Sequence, residues 1–442
     1  MAARRAAEPT PVPEPQRRPA VLIGVAIVLT GLNLRTAVNS VGPVLQELQA
    51  GLGLSSGLAG LVTTMPVLCF AVIGFAGPPL SARFRDSHVL SGALLAMAAG
   101  LVLRAVAGAF WVFLAGTALA MVGGALGNVL LPGLVKRHFP GRTGLLVGAY
   151  GTAMAVGGAA ASVSTAPIAA AAGTDGWRWA LGVWAALALV AALPWLAVPA
   201  ASAAARAERT AVRMRDLVHS RLAIALSVFF GLQAMQAYVI IGWSAQYLRD
   251  MGLSAAAAGL LLGINTAVVI FVNAAVPPLT VRPHLQRPLL LFFMACYAAG
   301  WIGLWVAPLS APWLWMILLA IGLGTFAMVL TLLGLRARTS ETTAALSTVV
   351  QGWGYVLSAA GPLLVGVLRG ATGNYTGMFV LVLAGVAGLT GTGWLVTRQR
   401  YVDDEVPGWS SDRQRDDVLE VAGVEPPARA PAGPRPDGSA SA

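Results

Sequence analysis

The chain is expected to fold as an all-α polytopic membrane protein, with twelve transmembrane helices arranged as two parallel six-helix halves. Three observations predict this. The 442 residues are 57% hydrophobic and only 11% charged, far from a soluble protein, where charged residues approach a quarter of the chain. Apolar stretches of about 20 residues, the length that crosses a ~30 Å hydrocarbon core, recur along most of its length. The chain also repeats itself, the second copy coming six apolar stretches after the first.

The spans are placed near 21–45, 57–79, 89–107, 110–134, 144–172, 179–199, 220–246, 255–277, 288–307, 312–335, 343–368 and 376–397. Residues 1–19 are rich in Pro and Arg and are read as a cytoplasmic tail rather than a removable signal, because the apolar run that follows is too long for a signal core. The first half is then 20–199 and the second 220–397, joined by a polar, basic loop at 200–219. Residues 398–442 carry Pro, Asp, Arg, Gly and Ser without periodicity and are expected to form a disordered cytoplasmic tail.

Lys and Arg set the orientation. Twenty of them fall in the N-terminal tail, in the loops after the even-numbered spans and at the start of the C-terminal tail, among them Arg17, Lys136, Arg206, Arg287 and Arg400. Only four (Arg104, Arg178, Arg249 and Arg369) fall near the opposite span ends. Positive residues stay inside, so both termini are expected in the cytoplasm of a bacterial plasma membrane. The net charge of +11 is thus a topology signal. Nucleic acid is not an expected partner, since no basic cluster is interleaved with stacking aromatics.

The repeat is direct. GLSSGLAGLVTTMPVLCFAVIGFAGPPLSAR at 53–83 aligns without gaps with GLSAAAAGLLLGINTAVVIFVNAAVPPLTVR at 252–282. Gly53 and Gly252, Ser55 and Ser254, Pro78-Pro79 and Pro277-Pro278, and Arg83 and Arg282 coincide. The copies are six spans apart, an even offset that gives both the same orientation, and a duplicated unit with polar residues near the midplane is a transporter arrangement. The paired Pro-Pro-Leu-x-x-Arg turns are expected to end their helices at the cytoplasmic seam between halves. Arg83 and Arg282 are candidate gating residues there, with Asp216 and Glu341 as candidate acids.

Arg35 is the feature with chemistry in it. It lies well inside the first span, roughly 20 Å from its start, where a charge costs at least ~2.5 kcal/mol. Three readings are open: bonding to carbonyls of a neighbouring span, facing an anion in a cavity, or snorkelling to an interface, which the depth disfavours. A guanidinium fork suits planar carboxylate-like or nitro-like oxygens. Asn39, one turn on, shares its face, and Asn33 points elsewhere.

Further candidate substrate-binding residues are Asn128 in the fourth span, Tyr150 in the fifth, Gln236, Tyr238 and Trp243 in the seventh, and Gln351, Trp353 and Tyr355 in the eleventh. Each has an alternative as helix–helix glue, because buried amides need partners whatever their function. Trp243, Trp353 and Tyr150 are expected to wall the cavity.

The sequence also limits the chemistry. The sole lysine, Lys136, follows Val135, so there is no GxxxxGK[ST] for ATP. No Asp, Glu, Lys or His lies deep in a span with Arg35, so a membrane enzyme lacks its acid–base pair. The four histidines fall in loops, and Cys69 and Cys296 lack metal-ligand neighbours, so neither catalysis, metal nor cofactor is expected. The expected partners are a small-molecule solute, the lipid bilayer and, where transport is proton-coupled, a proton received by Glu47, Asp175 or Asp250; the chain is expected to be a monomer. A multidrug exporter using the same cavity is the alternative within the class.

GLNLRTAVNSVGPVLQEL at 31–48, GNVLLPGLVKRHFPGRTGLLVGAYGTA at 127–153 and VQGWGYVLSAAGPLLVGVLRGATGNY at 350–375 resemble the cyanate/nitroimidazole transporter (CynX/NimT) family of the major facilitator superfamily. The resemblance covers about 21–397 and implies the major facilitator fold and a secondary active transporter of a small anionic or polar planar solute. One departure stands out: the superfamily's second loop carries an Asp before its Arg, and LSARF here has Ala82.

Overall fold

A computed structural model describes residues 17–83, 86–139, 143–197, 217 and 219–405. Twelve helical segments there are long and apolar enough to cross a membrane. In order they are Arg17–Asn39 continuing through Leu45–Leu52, Ser56–Arg83, Asp86–Val106, Phe110–His138, Thr143–Ala171, Gly176–Gly182 with Trp184–Ala197, Arg221–Asp250, Ala255–Thr280, Pro283–Val306, Pro312–Gly322 with Thr325–Leu335, Ser340–Thr372 and Thr376–Val396. We refer to them as spans 1 to 12, and to the two ends of the bundle as Arg-rich and Arg-poor.

The repeat is built from the same local chemistry twice. Gly53 (φ 63°) and Gly252 (φ 109°) take left-handed backbone that other residues adopt only with strain. Each lets the next residue's N–H reach back five residues, Leu54 to the Gln49 carbonyl and Leu253 to the Leu248 carbonyl, which closes the end of the preceding helix. Ser55 and Ser254 then receive N–H groups of Leu58 and Ala257 and start spans 2 and 8.

Three expectations are corrected. The paired prolines do not end their helices: spans 2 and 8 run on to Arg83 and Thr280. Proline lacks a donor, but its carbonyl still accepts, and Val281 N–H bonds the Pro277 carbonyl at 3.1 Å. Span 1 is not one helix. It stops at Asn39, passes through a 3-10 turn at Gly42–Val44 and resumes at Leu45. Pro43 weakens the helix there, since it withholds the N–H a continuous helix requires. The tail is folded up to Glu405: Val402 N–H bonds the Arg336 carbonyl, and Asp403 accepts from Arg338 N–H and the Thr342 hydroxyl. Glu405 accepts from the Ser220 hydroxyl and Leu222 N–H at the start of span 7.

Span 11 packs along spans 2 and 7, and span 5 along spans 1 and 8, so the halves meet in two seams, 2 against 11 and 5 against 8. Backbones touch there. An ideal Cβ at Gly366 would lie 2.5 Å from the Ser56 carbonyl oxygen and 2.7 Å from Gly60 Cα.

Candidate functional site

Among the described residues, the hydrogen bonds that tie the halves gather toward the Arg-poor end. Arg249 of span 7 grips both carboxylate oxygens of Glu47 at 2.7 Å each and also donates to the Pro43 carbonyl at 2.8 Å. Gln46 donates to Asp250, whose carboxylate also takes Arg369 at 2.6 Å and the Tyr375 hydroxyl. Gln246 donates to Gln49 at 2.8 Å. Burial and the adjacent Asp250 push the Tyr375 hydroxyl up from its ordinary value, so it stays a proton donor. The Arg-poor end is therefore closed. Beneath it, among the described residues, lies a cleft of about 10 Å³, the space of about one water, lined by residues including Ala37, Thr63, Thr117 and Tyr238.

Deeper in, the break in span 1 leaves Arg35 on regular helix. Arg35 and Asn39 lie over the same glycine: an ideal Cβ at Gly158 would stand 3.1 Å from Arg35 Cβ and 3.0 Å from Asn39 Nδ2. Their common face is thus realised. Arg35 is half-buried and makes no hydrogen bond or ion pair with a described residue. Its guanidinium lies within electrostatic reach of the Tyr238 and Tyr355 phenols, which also act on one another. Both tyrosines belong to the other half. Tyr355 is fixed by Phe70, stacked at 5.6 Å, and by the edge of Phe230 at 5.1 Å. Asn39 also crosses between the halves, its Nδ2 reaching the Gly158 carbonyl, Ser162 and Thr266, while its buried Oδ1 has no partner.

Other candidates lie elsewhere. Asn33 spends its amide on the carbonyls of Leu29 and, in span 6, Leu187. Gln236 donates to the Val382 carbonyl and accepts from Trp301, both within the second half. Trp243 is fully buried and donates to the Pro362 carbonyl. Spaced seven apart, Gln236 and Trp243 do share a face, but it turns into the packing of their own half. Trp353, two residues from Tyr355 and so on the opposite side of span 11, is 52% exposed. Of the three residues expected to wall the cavity, Trp243 is thus packed within its own half, Trp353 is largely exposed and Tyr150 is half-buried. Asn128, Tyr150 and Gln351 are half-buried, and Tyr150 packs its backbone onto Gly31. Of the gating pair, Arg282 is exposed and makes no ion pair with a described residue. The side chains of Arg83 and Glu341, and all of Asp216, lie outside the described residues.

Two groups escaped sequence reasoning. The ionic closure uses Arg249 and Arg369, which had been counted only as topology markers. Its sequence signal was present: spans 1 and 7 both end in polar runs, QELQ at 46–49 with an acid and QYLRD at 246–250 with an arginine to meet it. Arg104, counted in the sequence only among the arginines near span ends, is fully buried.

Two six-helix halves, closed at one end above Arg35, have the architecture of a membrane transporter. The chain belongs to the Major Facilitator Superfamily, whose family model matches residues 22–362. Within it the chain is a CynX/NimT-like transporter. It is 34% identical to the uncharacterized transporter YycB of Bacillus subtilis (strain 168), over 88% of this chain and 95% of that one. It is also 34% identical to the 2-nitroimidazole transporter of Escherichia coli (strain K12), over 80% and 90%. The cyanate transport protein CynX of the same organism is 29% identical over 79% and 91%. Among solved structures, the fold is shared with a bacterial homologue of the human lysosomal transporter Spinster in an inward-facing, occupied conformation, with a TM-score of 0.71 and 17% identity, covering 89% of this chain and 99% of that one.

Proposed function

We propose that the protein is a secondary active transporter that carries a small anionic or polar planar solute by alternating access, with Arg35 as the anchor of the solute. The observation that carries this reading is that Arg35, half-buried in one half, has no hydrogen-bond or ion-pair partner among the described residues and lies within electrostatic reach of the Tyr238 and Tyr355 phenols of the other half. An uncompensated cation deep in a membrane bundle favours a negative or electron-rich partner. Hydroxyls from the opposite half give the bound solute a contact with both halves at once, which is what couples binding to their rocking. Asn39 would orient Arg35 from the same face. The names of the two Escherichia coli relatives fit this chemistry, since cyanate is an anion and a nitroimidazole offers planar nitro oxygens to a guanidinium fork.

The orientation that goes with it places the Arg-rich end and both termini in the cytoplasm of a bacterial inner membrane, with the closed Arg-poor end outside. The working unit is a monomer. A proton is the candidate coupling ion, received by the carboxylates of the outer closure.

The test is binding of cyanate and of 2-nitroimidazole to purified protein, read as a rise in melting temperature. Wild type should respond to at least one of them, Arg35→Ala to neither, and Arg35→Lys weakly, because lysine lacks the planar fork. An Arg35→Ala protein that folds and binds like wild type would overturn the assignment.

A further inference from the structure

Arg104, near the Arg-poor end of span 3, is fully buried and pairs with no carboxylate among the described residues. Burying a cation without a counter-ion is costly, so its partners show what the charge is for. Both lie at the break in span 1: Nη1 donates to the Ala37 carbonyl at 3.1 Å and Nη2 to the Ser40 hydroxyl at 3.3 Å. The Phe113 ring lies 5.9 Å from the guanidinium carbon.

In an unbroken helix the Ala37 carbonyl would accept from Val41 N–H. Here Val41 N–H turns to the Val38 carbonyl at 3.4 Å, and the carbonyl it abandons is the one Arg104 takes. The break in turn presents the closing surface. An ideal Cβ at Gly42 would lie 2.5 Å from the Ile241 carbonyl oxygen of the other half, and Pro43 and Glu47 receive Arg249. Restoring the Ala37–Val41 bond would rotate every residue beyond 41 and carry these groups off their partners.

The second half supplies an internal control. Ala-Ala-Gly at 98–100 and Val-Ala at 106–107 recur at 298–300 and 306–307, which sets Leu304 where the first half has Arg104. Ten residues before the matched glycines Gly53 and Gly252 stand Pro43 and Gly242. The half with Leu304 has an unbroken first helix, Arg221–Asp250, and the half with Arg104 has the broken one.

We propose that Arg104 is a positioning residue for the transport cycle: it holds span 1 in its broken form and so biases the protein toward closure of the Arg-poor end. Pro43 weakens the helix at that point, and Arg104 selects which of the two arrangements persists. This rests on the alternating-access reading but not on the role given to Arg35.

The experiment uses purified full-length protein with Cys69→Ser and Cys296→Ser, and a reporter thiol at Thr63→Cys in the cleft. Maleimide labelling of that thiol needs neither a solute nor a known orientation. Arg104→Leu, the residue of the matching position, should label at least about tenfold faster than the parent, the change expected when one charged-donor hydrogen bond is lost from the closed state. Arg104→Lys, which keeps a charged donor for the Ala37 carbonyl, should label near the parent rate. Parent-like labelling in Arg104→Leu would overturn the proposal, and so would equally fast labelling in Arg104→Lys. Should Arg104→Leu not fold, Arg104→Gln is read against the lysine variant by the same criterion.

Discussion

The seam between spans 2 and 11 is the sharpest place to perturb the closed end. Gly366 there lies so close to Ser56 that a Cβ would stand 2.5 Å from its carbonyl oxygen, and ordinary contact begins near 3.4 Å. Alanine therefore requires the helices to part by about 0.9 Å, the difference of those two distances. Leucine adds three more carbons with backbone on the far side and no flexible neighbour to yield. Overpacking of this kind costs about 1 to 3 kcal/mol. The bundle avoids it by opening the seam, so the cost falls on the closed state alone. At about 1 kcal/mol for Gly366→Ala the ratio of open to closed protein should rise about fivefold, and at about 3 kcal/mol for Gly366→Leu about 100-fold. Labelling of Thr63→Cys in the cysteine-free background reads that ratio, and transport of the solute in vesicles should fall as closure fails. A Gly366→Leu protein that elutes as a single folded species and labels at the parent rate would refute the account of the seam.

Smaller changes are expected elsewhere. Glu47→Gln or Arg249→Gln removes a charge from the bidentate pair; since Glu47 is 36% exposed, about 1 kcal/mol or less is at stake, so labelling should rise a few-fold and the difference should shrink in high salt. Tyr238→Phe and Tyr355→Phe should each weaken binding of the solute about two- to tenfold, the effect of one neutral hydrogen bond, without lowering the melting temperature; unchanged affinity in both would remove the tyrosines from the site. Arg336 is buried and donates to Gln286 at 2.7 Å and to the Val396 carbonyl at 3.0 Å, so Arg336→Met should lower stability by about 3 kcal/mol, seen as a melt several degrees lower.

What was legible in the sequence follows from what membrane burial makes obligatory. Length and apolarity place all twelve helices, and the duplicated turn at Gly53 and Gly252 announces the two halves, because left-handed backbone and a serine cap leave a local signature. Arg35 stood out because no other charge lies so deep. The break in span 1 was written only as Pro43, and one proline does not say whether a helix kinks, stops or, as at Pro277, continues. Gln236, Tyr238 and Trp243 show the remaining limit. Helical spacing ties Gln236 to Trp243 and separates Tyr238 from both, but it does not say which face turns to the other half. That depends on span 11, whose Tyr355 reaches Tyr238 from more than a hundred residues away in the chain.

The short segment at 402–405 changes how the second half should be handled as a physical object. Through Val402, Asp403 and Glu405 it fastens the chain just past span 12 to the start of span 7 and to the link between spans 10 and 11. The six helices of that half are thereby strapped into a loop, with first and last members joined at the Arg-rich rim. A tag or fluorescent reporter spliced on at Arg400 cuts the strap and would report on a protein with a loosened rim, whereas one attached beyond Glu405 leaves it whole. The Arg-rich rim of the second half thus owes part of its stiffness to residues that follow its last membrane helix.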